Sequence, residues 1–221
     1  MRRVVWFLVV VAVLVGGAVI ADVLVRGQTE ERIAAQTAVA FDLDHSPEVE
    51  ILGPAFLPRL ASGTIGEVRL RAAEATIGDV PLRDVLVELA DVDVAEPHTT
   101  RSVQFWGTVP VESLPALGES GIELELADGQ VVVEAELLGL PLRVLASPVA
   151  DGRAVVVRLD SIEVAGLAVP AAELPAAITA ALEGFRIEVD SLPEGMVLDS
   201  VSVVGDGFAI AASGSEVPLL P

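Results

Sequence analysis

Ile122-Glu123-Leu124-Glu125-Leu126-Ala127-Asp128-Gly129-Gln130-Val131-Val132-Val133-Glu134-Ala135-Glu136-Leu137 decides the fold class. Apolar and acidic residues alternate on both sides of Asp128-Gly129, the period of a strand with one dry and one wet face. Both central residues of a type I′ turn need positive φ, so an Asp-Gly pair between two alternating runs predicts a hairpin. Asp151-Gly152 precedes a second such run (Val155, Val157, Leu159), and Asp206-Gly207 a third (Phe208, Ile210). From Pro47 onward the period changes to two, with further strands expected at 48–52, 65–74, 82–94, 101–108, 140–147, 162–165, 185–190 and 196–204. Half-polar strands imply antiparallel sheets with one wet face. In 82–94, Val85, Val87 and Leu89 share one face while Val92 and Val94 take the other, which predicts a β-bulge near Ala90-Asp91.

Helical cover for the dry face is scarce. Residues 28–41 carry Ile33, Ala34, Thr37, Ala38 and Phe41 on one stripe at the 3.6-residue period, opposite Glu30, Glu31 and Arg32. This helix continues from the segment before it, with Gly27 as the expected bend. Two short helices are expected around 111–118 and 171–183. They begin in the same way, Val109-Pro110-x-x-x-Leu114-Pro115-Ala116 and Val169-Pro170-x-x-x-Leu174-Pro175-Ala176, offset by 60 residues. That offset reads as a weak internal duplication.

Ahead of these elements, residues 4–21 contain no charge and follow Met1-Arg2-Arg3. A helix of that length spans about 27 Å, close to a bilayer's hydrocarbon thickness. Arg2 and Arg3 before the run and Asp22 after it orient the rest of the chain outside the cytoplasm. The length favours a retained single-pass anchor at the plasma membrane with an extracytoplasmic C-terminal domain. The alternative is a cleavable signal and a secreted or periplasmic protein, since Val19 and Ala21 are small enough for a cleavage site. The expected division is an anchor over 1–27, one α+β domain over 28–215 and a tail over 216–221.

Composition then removes whole classes of function. There is no cysteine, so stability must come from burial and hydrogen bonding. Beyond the leader, 11 Arg face 33 Asp and Glu, a net charge of −22. Such a surface repels nucleic acid and gains nothing from anionic headgroups, so no nucleic-acid partner is expected and any contact with lipid must be apolar. No lysine and no thiol are present, which closes Schiff-base and cysteine mechanisms. Gly118-Glu119-Ser120-Gly121 lacks the strand-to-helix context of a nucleophile elbow. Asp42, Asp44 and His45 cluster hard ligands, but the segment reads more simply as a polar connector ending at Pro47; His98 sits in a polar turn. No catalytic set, cofactor or metal is expected, and the chain does not read as an enzyme.

The remaining features are apolar. Phe56, Leu57, Leu60 and Ile65 cluster between Gly53 and Thr64-Ile65, and Phe105 and Trp106 sit together late in a strand. Most read as core; the functional reading is the wall or rim of an apolar cleft for acyl chains.

Val49-Glu50-Ile51-Leu52-Gly53-Pro54-Ala55-Phe56-Leu57-Pro58-Arg59-Leu60-Ala61-Ser62-Gly63 resembles the opening signature V-x-I-x-G-x-x-F-L-x-x-L-x-x-G of the LmeA-like phospholipid-binding proteins of actinobacteria, named for a mycobacterial mannan elongation factor. Leu192-Pro193-Glu194-Gly195-Met196, leading through Val201 and Val203 to Gly205-Asp206-Gly207-Phe208, is similar to that family's tail. The resemblance covers roughly residues 28–214. It implies an extracytoplasmic, membrane-associated protein that binds phospholipids, including phosphatidylinositol-type lipids, and supports lipoglycan mannan elongation. It also implies a tubular lipid-binding fold, α+β, in which a strongly curved antiparallel sheet is wrapped around or covered by the long N-terminal helix and the two short ones. The family supplies no catalytic residues. The expected lipid-binding set is Ile33, Phe41, Phe56, Leu57, Leu60, Ile65, Phe105, Trp106, Leu114 and Phe208. The competing expectation is a scaffolding envelope domain with no lipid cavity.

Overall fold

The computed structural model describes residues 2–41, 43–77, 80–113, 123–137, 140–164, 166–175 and 186–219, the side chains of 2–16, 123–124, 135–137 and 140–141 excepted. One helix, α1, runs Arg2–Ala40 and contains no proline. It crosses Gly27 without a break in helical structure, where the sequence suggests a bend. The Thr29 hydroxyl donates to the Val25 carbonyl at 2.8 Å, and Arg26 pairs with Asp22 one turn back at 3.1 Å. Among the residues whose side chains are described, which leaves out 2–16 of α1, no helix is long and apolar enough to cross a membrane.

Among the described residues twelve strands follow: β1 (Glu48–Leu52), β2 (Thr64–Ile77), β3 (Val80–Asp93), β4 (Thr99–Pro110), β5 (Glu123–Ala127), β6 (Gln130–Leu137), β7 (Leu140–Asp151), β8 (Ala154–Val164), β9 (Leu167–Pro170), β10 (Arg186–Glu188), β11 (Met196–Val204) and β12 (Gly207–Pro218). They divide between two open antiparallel sheets, where the sequence reading has one strongly curved sheet. The first is ordered β1-β2-β3-β4-β12-β11; the second runs β10-β8-β7-β6-β5, with β9 also on β8. The helix α1 packs on β1 and on a short helix α2 (Phe56–Ala61), at one edge of the first sheet. Partner choice between strands is non-local, so alternation alone does not divide them between sheets.

Several local expectations change. Residues 155–159 and 162–164 belong to one strand, β8, with residue 165 outside the described residues, and β12 carries residues 216–218 into the sheet opposite Thr99 and Thr100. Pairing of β3 with both neighbours stays in register through Ala90 and Val92. The shift falls earlier, between Arg83 and Leu86 against β4, where Asp84 has φ 52°. The parity change at Asp91 is a local twist, φ 50°, held by Arg59 and Arg101 at 3.3 and 3.1 Å. Of the three Asp-Gly pairs, only Asp128-Gly129 has both φ positive, 51° and 77°. The β7–β8 loop is instead Gly152-Arg153, and the β11–β12 loop Gly205-Asp206. The expected helices at 111–118 and 171–183 show only their first turns, 3-10 helices at Val111–Ser113 and Ala171–Glu173; residues 114–122 and 176–185 lie outside the described residues. Each turn follows a strand ending in proline, Pro110 or Pro170. A second pair shares the 60-residue offset: Val80-Pro81-Leu82-Arg83 opens β3, and Leu140-Pro141-Leu142-Arg143 opens β7.

The tip of the β7–β8 hairpin joins the two sheets. Leu198 N–H donates to the Gly152 carbonyl at 2.7 Å, and Val189 N–H to the Arg153 carbonyl at 2.9 Å. The Arg153 guanidinium donates to the carbonyls of Pro193 (2.8 Å), Met196 (3.2 Å) and Leu192. Ala150 and Val155, flanking this tip, pack against the core of the first sheet.

Candidate functional site

Strand alternation gives the first sheet two unlike faces. On the outer face, Glu50, Arg69, Glu88 and Gln104 lie side by side across β1 to β4, and Glu48, Arg71, Leu86, Trp106 and Ala211 form the next row. Arg69 bridges Glu88 at 2.8 Å and Glu50 at 3.6 Å. The Glu88 hydrogen bond raises the Arg69 pKa, against desolvation that lowers it. A hollow of about 250 Å³ lies beside Leu52, Glu67, Arg69, Glu88, Ser102 and Gln104, and another of about 220 Å³ beside Thr64, Asp91, Asp93, Thr99, Arg101 and Glu216. The second is largely polar-walled; the first is also lined by Val68, Leu89 and Ala90, so that polar and apolar groups share its wall.

The inner face is apolar from edge to edge. One row reads Ile51, Val68, Leu89, Val103, Gly214, Met196; the next reads Val49, Leu70, Val87, Phe105, Ala212, Leu198. At the β1 edge, Ile51, Phe56 and Val68 form a closed cluster under Val25 and Ile33 of α1. At the far edge, Val103, Phe105, Met196, Leu198 and Ala212 form a second cluster with the hairpin of the second sheet. Between them Leu70, Val87 and Leu89 are only partly buried, and Leu89 packs against both clusters. The inner face is therefore a continuous aliphatic floor, closed at its ends and incompletely covered in its middle.

The predicted residues distribute over this frame unevenly. Ile33, Leu60 and Ile65 are partly buried against the α1-side cluster, of which Phe56, 3% exposed, is the centre. Leu57 is partly buried beside them, its N–H bound to Asp22 at 2.7 Å. Phe105 is core in the second cluster, with Phe208 packed against it. Trp106, its neighbour in β4, points the other way and is 37% exposed on the outer face, away from any inner cleft. Phe41 is partly buried at the end of α1 and belongs to neither cluster, and Leu114 lies outside the described residues. Leu70, Val87 and Leu89 are not among the expected lipid-binding residues, although the alternation of β2 and β3 places them on the dry face. His45 is exposed, and the His98 ring nitrogen lies 3.3 Å from the Asp93 carbonyl. Among the described residues no three His, Cys, Asp or Glu side chains are grouped to hold a metal.

The signature glycines have a structural reason. Gly53 (φ 98°) turns the chain out of β1, and Gly63 (φ 88°) ends α2 with its N–H on the Leu60 carbonyl at 3.0 Å. Between them, Phe56 drives α2 into the cluster and Pro58 sits in the first turn, where its missing N–H costs little. The signature is thus one structural unit, a strand, a turn and a helix seated under α1. Comparison with curated proteins and with solved structures returned no match. The sequence profile of the LmeA-like phospholipid-binding family matches residues 20–213, and the chain belongs to that family.

Proposed function

We propose that this is an extracytoplasmic, membrane-tethered protein that holds phospholipid acyl chains against the inner face of its first sheet, without catalysing a reaction on them. The observation that carries the reading is the partly covered aliphatic floor of Leu70, Val87 and Leu89 in a chain of a phospholipid-binding family. The tether is residues 4–21, uncharged and about 27 Å long as a helix. With 33 acidic residues in the chain, attraction to lipid rests on apolar contact. A phosphatidylinositol-type lipid and a supporting role in lipoglycan mannan elongation complete the proposal on the family resemblance. A scaffolding domain with no lipid site is the second reading, favoured by the closure of Phe56 and Phe105 inside their clusters.

The test is lipid content. Full-length protein purified in mild detergent is extracted with organic solvent, analysed by mass spectrometry, and offered liposomal phospholipid. Bound or transferred phospholipid is expected. Leu70→Thr/Val87→Thr should lower uptake at least tenfold, and Trp106→Ala should leave it unchanged. Absence of lipid, or uptake indifferent to the Leu70/Val87 pair, rejects the reading.

A further inference from the structure

The β1–α2 corner is fastened to α1 by a polar clasp. Asp22, Arg26 and Glu30 stand at i, i+4 and i+8 on one side of the helix. Asp22 Oδ1 accepts the Leu57 N–H at 2.7 Å, and Glu30 Oε1 accepts the Ile51 N–H at 2.7 Å. Arg26 donates to the Ile51 carbonyl at 3.3 Å and the Gly53 carbonyl at 2.9 Å while pairing with Asp22 at 3.1 Å. The helix α2 needs this help, because Ala55, its N-cap position, lies in the left-handed region at φ 54° and offers no side-chain cap.

The level of the clasp along α1 gives it a further meaning. Val19, Ile20, Val23 and Leu24 are each more than half exposed, and Val23 and Leu24 lie between Asp22 and Arg26 in sequence. At about 1.5 Å per residue, that exposed apolar surface and the fastened corner share one depth along the helix. The same helix continues backward into the uncharged run that begins at Val4. The corner is matched to that setting: residues 51–58 carry no charge in a chain of net charge −20, and Gly53, Pro54 and Ala55 are exposed. Exposed aliphatics beside an uncharged loop suit a lipid surface and not water.

We propose that Asp22, Arg26 and Glu30 lock the domain to its own apolar helix in one orientation, holding the corner at residues 53–57 against the surface of the bilayer. The β1 end of the inner face then meets the lipid headgroups, and the floor of Leu70, Val87 and Leu89 extends away from the membrane. The orientation rests on the tethered lipid-binding reading above, but it is read out separately.

The chain has no cysteine, so single cysteines can be labelled cleanly. Full-length Pro54→Cys and Val197→Cys, each carrying bimane, are placed in phosphatidylcholine nanodiscs containing a lipid with a nitroxide near the headgroup. Position 54 lies in the corner; position 197 lies on β11, the opposite edge strand of the first sheet. Quenching several-fold stronger at 54 than at 197 is expected, and Arg26→Ala/Glu30→Gln should abolish the difference. Equal quenching in the otherwise unaltered chain overturns the proposal without recourse to the clasp variant. So does a difference that survives in a folded clasp variant, or an intact mass showing that residues 1–21 have been removed. Lipid uptake is measured on the same samples: selective quenching at 54 without uptake leaves the orientation standing and the lipid-holding function rejected.

Discussion

Phe105 and Trp106 are neighbours in β4 with opposite fates, and replacing each with Ala tests the assignment of faces. Phe105 is 9% exposed, packed among Leu82, Val103 and Ala212 with its ring against Gly107. Its truncation loses the transfer free energy of a benzyl group, about 2 kcal/mol for one largely buried. The void adds a second term: roughly 100 Å³ at about 24 cal/mol per Å³ contributes up to about 2 kcal/mol. Phe105→Ala should therefore cost about 4 kcal/mol. For a chain of this size that lowers Tm by about 8–16 °C. Trp106 has Leu86 and Ala211 as its cross-strand neighbours on the outer face. Its loss removes partial burial and no cavity wall, for at most about 1 kcal/mol and a Tm change of about 2–4 °C. Thermal unfolding of the full chain followed by circular dichroism, with guanidinium midpoints as a second measure, separates the two. Equal shifts, or a larger one for Trp106→Ala, would refute the face assignment and with it the inner floor as a lipid surface.

Arg153→Ala removes donors to three carbonyls at the junction of the sheets, and hydrogen bonds to a charged group contribute about 1.5–3 kcal/mol each without adding fully. Hydrogen exchange should accelerate in 192–198 and at the β7–β8 tip more than in β2 or β3; uniform acceleration would contradict a local junction. Gly207→Ala would place a Cβ 2.5 Å from the Val109 carbonyl oxygen and 3.1 Å from the Thr108 methyl, a contact that must push β12 from β4. A loss of about 1–3 kcal/mol of unfolding free energy, read as a lower denaturant midpoint, is expected, and an unchanged midpoint would show that the strands are not so close.

What the sequence makes legible is local. The Asp128-Gly129 turn, the alternation of β2, β3 and β4 and the helix carrying Ile33 all follow from spacing, because each is settled by residues within one hairpin or one helix face. The division into two sheets is not legible, since β4 pairs with β12, about a hundred residues away, and no periodicity announces that choice. The helix α2 hides for another reason: six residues containing Pro58 give too few turns to show a period, and their helicity comes from Phe56 in its cluster and from Asp22 on another element. Aromatic residues mislead in the site. Phe56 and Phe105 are obvious candidates but close into core, while the partly covered floor is made of Leu70, Val87 and Leu89, residues too ordinary to stand out.

The clasp also settles a problem that every open sheet has. β1 is the last strand on its side, and its outward backbone groups would recruit another strand. Glu30 occupies the Ile51 N–H and Arg26 the Ile51 and Gly53 carbonyls, so two helical side chains make bonds that a further strand would make. Any version of the protein that begins after Glu30 uncovers this edge next to Val49 and Ile51, and should self-associate through it. The residues that fasten the domain to its helix thus also keep one copy from zipping onto the next.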